Sequence, residues 1–225
     1  MPAKVALALA AEAAVFALLL FGSAGTLRWP EAWIFLIIFF GCATSLTITL
    51  ARDDPALLNE RMRTLFQRGQ PLWDKVLLGI IGPLFIAWLA VMGADSRRFH
   101  WSNVPAWLEV AGAFGVALSM WAVGRVFRAN TFLAPVVKIQ EERTHTVIST
   151  GPYAIVRHPM YASVLWLFIA TPLLLGSWYG VGVSALIMLG IAIRTALEDR
   201  ELHHRLAGYT EYAQKVRYRL IPFVW

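Results

Sequence analysis

The densest run of polar, aromatic and turn-forming residues in this 225-residue chain reads Gly151-Pro-Tyr-Ala-Ile-Val-Arg-His-Pro-Met-Tyr161. Gly151-Pro152 marks a turn, and Pro159 suits the first position of a helix, where its missing N–H would be unpaired anyway. A helix starting beside His158 presents free backbone N–H groups and a positive dipole end, a receptor for a carboxylate or phosphate. His158 is then either the cap of that helix or a ligand contact. About forty residues later come Arg194, Glu198 and Asp199. Arg194 and Glu198, four apart, are either an ordinary helix pair worth about 0.2–0.5 kcal/mol or ionisable groups where a span leaves the bilayer, a common place for a site. Asp199, His203 and His204 raise a metal. However, adjacent histidines point to different helix faces and Arg200 and Arg205 repel a cation, so no metal is expected.

These residues are carried by an unusually apolar chain. It is 58% hydrophobic and 15% charged, with mean hydropathy +0.59; soluble domains carry roughly 25% charged residues. Six apolar runs approach the roughly 20 residues needed to cross a hydrocarbon core of about 30 Å. They run approximately from Val5 to Leu27, Ala32 to Ala51, Val76 to Ala94, Val104 to Gly124, Met160 to Leu175 and Trp178 to Ile193. The fold class expected is all-α, a polytopic membrane bundle of about six segments whose last two form a hairpin. Antiparallel packing of that hairpin sets Arg157, His158 and Tyr161 at the same depth as Arg194, Glu198 and Asp199. The first run exceeds signal-peptide length and is read as retained.

The net charge of +6 follows the loops. With the N-terminus inside, only Arg28, Arg97 and Arg98 of the 20 Lys and Arg residues fall outside. That asymmetry predicts cytoplasmic termini and a cytoplasmic site, and it explains the basicity without a nucleic-acid partner. Cys42, the single cysteine, leaves no intramolecular disulfide. Leu57, Leu58, Met62, Leu65 and Phe66 suggest an interfacial amphipathic helix in the loop from Arg52 to Lys75. Trp29, Trp33, Trp73, Trp101, Trp107 and Trp178 read as an aromatic belt. The segment from Arg128 to Arg157 is too rich in apolar and β-branched residues to be disordered and is expected to pack. Tyr209 and Tyr212 read as interfacial aromatics of a C-terminal cytoplasmic amphipathic helix. Residues 1–95 form N-terminal membrane helices with an interfacial loop, and residues 96–225 a second subdomain.

From about residue 128 to 222 the chain resembles the isoprenylcysteine carboxyl methyltransferase family, related to the membrane phospholipid N-methyltransferases. The matching pieces are Asn130, His145, Gly151-Pro-Tyr153, Arg157-His-Pro-Met-Tyr161, Arg194, Glu198-Asp-Arg-Glu-Leu202, Tyr209-Thr-Glu-Tyr212 and Arg219-Leu-Ile-Pro222. The resemblance implies an S-adenosylmethionine pocket in residues 96–225, closed off from water, with a lipophilic or lipid substrate entering between helices. It implies cofactor contacts from His145, Tyr153, Arg157, His158, Pro159, Tyr161 and Glu198, and catalytic roles for Arg194, Glu198 and Asn130. The family's second acid is Asp199 here, one methylene shorter, so Glu198 is the better match. Methyl transfer from a sulfonium needs alignment and desolvation but no protein nucleophile, consistent with this inventory. A carboxylate acceptor of the isoprenylcysteine type is the first expectation, a phospholipid amine the second. The ending Val216-Arg-Tyr-Arg-Leu-Ile-Pro222 also looks like that of sterol reductases, which use NADPH. A bacterial inner-membrane location is expected.

Overall fold

The computed structural model describes residues 3–225, and no strand occurs among them. The helices are α1 Ala3–Ala24, α2 Pro30–Asp53, α3 Pro55–Arg61, α4 Leu72–Gly93, α5 Ala106–Ala129, α6 Pro159–Leu174, α7 Trp178–Arg205 and α8 Tyr209–Lys215. A π-helical turn, Ala94–Phe99, extends α4. Proline opens α2, α3 and α6, where no N–H is missed. Asp54 ends α2 and caps α3, its carboxylate accepting from Leu57 N at 2.9 Å. Ser177 Oγ caps α7 by accepting from Gly180 N at 2.8 Å. Gly176, at φ 75°, makes the tight turn between α6 and α7, a left-handed position that favours glycine.

The core runs along the bundle axis through Phe16, Leu20, Phe35, Trp88, Met92, Val116, Phe168, Leu174 and Ile187. Because lipid tails are as apolar as leucine, helix association here rests on close packing and interhelical hydrogen bonds. Gly112 and Gly115 let α5 approach α6: a Cβ at Gly112 would sit 2.5 Å from Leu174 N, and one at Gly115 2.7 Å from Ala170 Cβ. Ser119 Oγ donates to Ser163 O at 2.6 Å across the same contact. Trp88 Nε1 donates to Ser184 Oγ at 2.8 Å, joining α4 to α7. At one end of the hairpin the buried carboxylate of Asp95 accepts from Ser177 and Ser102 hydroxyls at 2.5 and 2.7 Å.

Five helices are long and apolar enough to cross a membrane: α1, α2, α4 with its π turn, α5 and α7. The expected six spans thus reduce to five plus α6, which has 16 residues and measures about 24 Å at 1.5 Å per residue. α7 continues past Ile193 to Arg205, carrying its charged residues on unbroken helix. α4 begins at Leu72, which brings Asp74 inside the helix. Two expectations about aromatic residues change. Trp29 is fully buried against Phe21 instead of joining a belt. Tyr209 and Tyr212 are buried with Leu206 in a cluster that includes Ile139 and Val147, so the seven-residue α8 turns its aromatic face to protein. The loop after α2 is helical over seven residues; Leu57 and Leu58 are buried, while Met62, Leu65 and Phe66 stay exposed. The segment between α5 and α6 packs as expected, with Val136, Val137 and Gln140 buried.

Gly112→Ala forces backbone of α5 against backbone of α6 and should cost about 1–3 kcal/mol, whereas Gly124→Ala meets open space. Thermal unfolding in detergent is expected to show a lower midpoint for the first variant alone; equal midpoints would contradict this packing.

Candidate active site

The α6–α7 hairpin brings together the two clusters separated in sequence, and a buried carboxylate joins them. Asp199, 1% exposed, faces the residues just before α6. Arg157 donates to it through Nε and Nη2 at 2.8 and 2.9 Å, a two-pronged pair. His158 Nε2 lies 3.1 Å from Oδ1, Tyr209 OH donates to Oδ1 at 2.8 Å, and Arg219 Nε donates to Oδ2 at 2.8 Å. The segment after α8 completes the arrangement: Tyr218 O and Arg219 O accept from the backbone N–H groups of Arg157 and His158, both at 2.9 Å. Burial opposes the charge of Arg157, but its hydrogen bonds to Asp199 hold the guanidinium pKa above the ordinary value. Burial raises the Tyr209 phenol, and the charge of Asp199 raises it further.

One turn along each helix lies a second group. Tyr161 OH donates to Glu198 Oε2 at 2.5 Å. Arg194 stands over the Tyr161 ring, 5.6 Å from its centroid. It is held by Asp74, whose Oδ1 accepts from Arg194 Nε at 2.8 Å, and by Pro135 O at 3.2 Å. No ion pair joins Arg194 to Glu198 among the described residues, so the i, i+4 helix pair does not form. Asp74 is fully buried; its second oxygen accepts from Gln70 Nε2 and Val137 N.

These residues surround a cavity of about 370 Å³, within the range usual for small-molecule sites, roughly 300–1,000 Å³. Its polar end is lined by His145, Tyr153, Arg157, His158, Glu198, Glu201, Arg205, Tyr209 and Tyr212. Its apolar end reaches Leu78 and Ile81 of α4, Val164 and Phe168 of α6, and Ile191 of α7. Phe168 is about 14 Å along α6 from Pro159, so the cavity descends well into the bundle. Arg61, Tyr161 and Arg194 line the stretch between the two ends. Pro159 opens α6 behind this wall and does not line it.

The segment from Asn130 to Ile148 covers the polar end. Asn130 Nδ2 donates to Tyr153 OH at 2.7 Å, its Oδ1 accepts from Phe132 N at 2.8 Å, and Tyr212 OH donates to Tyr153 O at 2.7 Å. Asn130 thus fixes Tyr153 as well as lining the cavity. The His145 ring stacks on Phe132 at 4.4 Å, and its Nδ1 accepts from Gln140 N at 3.4 Å. Burial, with the charge of Arg143 adding to it, lowers His145 to about 4, so the ring is neutral near pH 7. Burial pushes the Tyr153 phenol up and Tyr212 up to about 12. A buried pair, Lys138 Nζ to Glu60 Oε1 at 2.7 Å, ties the segment to α3.

Sequence reasoning placed Arg194, Glu198, Asn130, His145, Tyr153, Arg157, His158 and Tyr161 around one site, and the structure gathers all of them at this cavity. It assigned no part to Asp74, Arg61 or the Glu60–Lys138 pair, and Arg219 entered only as a piece of the family resemblance. Asp74 offered one visible signal, an acid within three residues of a long apolar run. The others are long-range side-chain pairings with no local pattern. Asp199 was weighed as half of an acid pair beside Glu198; its partners give it a structural part instead.

The family model described as phospholipid methyltransferase matches residues 102–207, a little under half the chain. That stretch holds α5, α6, α7 and the segment covering the cavity, so the polar-end residues His145, Tyr153, Arg157, His158, Glu198, Glu201 and Arg205 fall within the matched residues, and Tyr209 and Tyr212 lie just beyond them. No curated protein matches the chain.

Asp199→Asn removes the charge that two arginine side chains share and should cost about 3–5 kcal/mol, read as a large fall in thermal midpoint; an unchanged midpoint would show that these contacts do not hold the end of the hairpin. His145 supplies a pH test. Its folded pKa lies below its ordinary value of about 6.5, so the unfolded chain binds the extra proton first, and stability falls as pH drops from about 6.5 to about 4. His145→Gln is expected to flatten that part of the stability profile.

Proposed function

We propose that this chain is an integral membrane S-adenosylmethionine-dependent methyltransferase whose acceptor is a lipophilic carboxylate, as in isoprenylcysteine carboxyl methyltransferases. The observation that carries the reading is a single cavity whose polar end continues, between membrane helices, into an apolar end. A polar cofactor and an apolar acceptor need such a two-character space to meet away from water.

The residues present fit the cofactor. Glu198 spends Oε2 on Tyr161 and keeps Oε1 to accept from ribose hydroxyls. The first turn of α6 has backbone N–H groups without helical partners, suited to the cofactor carboxylate. His145, kept neutral, adds no positive charge against a sulfonium. Tyr153, fixed by Asn130, supplies an aromatic wall. Once bound, the cofactor supplies an electrophilic methyl group, and its transfer to a carboxylate oxygen releases no proton. The chain therefore needs no base; its work is to align the acceptor, keep out water and hold opposite charge near it. Arg194 lines the stretch where the two ends join and is oriented by Asp74, which suits it to the acceptor carboxylate. The concentration of Lys and Arg in segments at the cavity's polar end supports a cytoplasmic site, in a bacterial inner membrane.

A phospholipid amine is the second reading, favoured by the family matching residues 102–207. An amine acceptor must lose a proton, and Glu198, the acid at the junction, would have to accept it while engaged with Tyr161.

The test follows thermal stability of the detergent-solubilised protein with S-adenosylmethionine, S-adenosylhomocysteine and NADPH. A ligand at a hundred times its Kd adds about 2.7 kcal/mol. Saturable stabilisation by the first two is expected; stabilisation by NADPH alone would replace this reading with a reductase. Glu198→Ala should abolish the S-adenosylhomocysteine shift while leaving the midpoint of the free protein near that of the wild type.

A further inference from the structure

The junction between the two ends of the cavity is flanked by two guanidinium groups, and they are not equally compensated. Arg194 is neutralised locally by Asp74 at 2.8 Å. Arg61, the last residue of α3, also lines the cavity, near enough to Arg194 and Tyr161 to feel their charge and with its guanidinium 5.3 Å from the centroid of the Phe127 ring. Among the described residues its side chain makes no hydrogen bond or ion pair. Glu60, its neighbour, is taken by Lys138 at 2.7 Å and Arg63 at 3.4 Å. Glu12 of α1 and Glu60 act on Arg61 only at a distance. Burial, followed by the charge of Arg194, lowers the pKa of Arg61, as expected for a cation set in an apolar surround beside another cation.

Asp74 pairs directly with Arg194 and Glu198 is engaged by Tyr161, so Arg61 is the junction cation without a direct acidic partner among the described residues, an unfavourable setting at the edge of an apolar space unless an anion completes the set. Apart from its place over the Phe127 ring, Arg61 is not needed to dock α3, which Leu57 and Leu58 hold by packing with Leu50, Val123 and Phe127. Its guanidinium lies where an amphiphile with its tail toward Leu78, Ile81 and Phe168 would bring its head.

We propose that Arg61 is a specificity residue that, with Arg194, seats the anionic group of an amphiphilic substrate at the neck of the cavity, the tail occupying the apolar end. The proposal rests on the methyltransferase reading and names its substrate class: single-tailed or lipid molecules bearing carboxylate or phosphodiester oxygens next to the reacting atom. It also gives the N-terminal half, outside the residues matched at 102–207, a part in choosing the acceptor.

The experiment measures binding of three probes to full-length protein in an uncharged detergent, in the presence of saturating S-adenosylhomocysteine. The probes are palmitate, lysophosphatidylethanolamine and hexadecanol, the last having a tail like that of palmitate and no charge. For wild type, at least one of the two probes bearing an anionic group, the carboxylate of palmitate or the phosphodiester of the zwitterionic lysophosphatidylethanolamine, is expected to bind about tenfold or more tightly than hexadecanol, the effect of a charge-assisted hydrogen bond. Arg61→Gln should remove that preference, leave hexadecanol and S-adenosylhomocysteine binding unchanged, and be partly rescued in Arg61→Lys. Loss confined to palmitate marks a carboxylate substrate; loss confined to lysophosphatidylethanolamine marks a phosphodiester. Equal loss for hexadecanol, no loss for either anion, or no anionic preference in wild type would overturn the proposal. Failure of S-adenosylhomocysteine to bind wild type would instead overturn the methyltransferase reading.

Discussion

The polar end of this bundle depends on one buried carboxylate. Asp199 is the acceptor for two arginines and a tyrosine and lies against a histidine, drawn from the segment before α6, from α8 and from the segment after it. A lone carboxylate at that depth would be strongly penalised by desolvation. Surrounded by donors it becomes the point at which three otherwise independent pieces of chain acquire one geometry. Arg157, held on both its guanidinium and its backbone, fixes His158. His158 fixes the start of α6, and α6 then carries Tyr161 to Glu198. The neighbouring acids, one structural and one facing the cavity, divide their labour because α7 turns successive residues to different surroundings.

Asp199 is one of three buried aspartates spaced along the bundle among the described residues. Asp95 gathers Ser102 and Ser177 at the opposite end of the hairpin, and Asp74 holds Arg194 between them. In an interior where dispersion separates right packing from wrong only weakly, such polar contacts set register. Gly112 and Gly115 then allow α5 to lie close enough to α6 for that register to be read by backbone contact.

Helix content and the meeting of Arg157–Tyr161 with Arg194–Asp199 were legible in the sequence. Both follow from hydropathy and from the antiparallel return of consecutive helices, which need no knowledge of side-chain partners. The burial of Trp29, Tyr209 and Tyr212 was not legible, because an aromatic residue facing lipid and one facing protein have the same pattern when both surroundings are apolar. Asp74 was hidden by a boundary: the helix starts four residues before the apolar run, so the acid counted as loop. Arg61 and Glu60 lie in a segment whose exposed Met62, Leu65 and Phe66 suggested an interfacial anchor, and that pattern masked residues turned inward. Asp199 was discounted for being shorter than the family's glutamate, yet the shorter arm suits a carboxylate fixed against Arg157.

The brevity of α6 has a consequence for the surrounding lipid. Trp166 and Ile169 face outward from a helix of about 24 Å, set in a hydrocarbon layer of about 30 Å. Lipids against that face must shorten their acyl region or let head groups sink toward the helix ends, at a fraction of a kcal/mol per ångström. The protein is therefore expected to thin the bilayer on one flank, beside the helix that also walls the apolar end of the cavity. Head groups there sit closer to the depth of the cavity's neck than they do in undisturbed membrane.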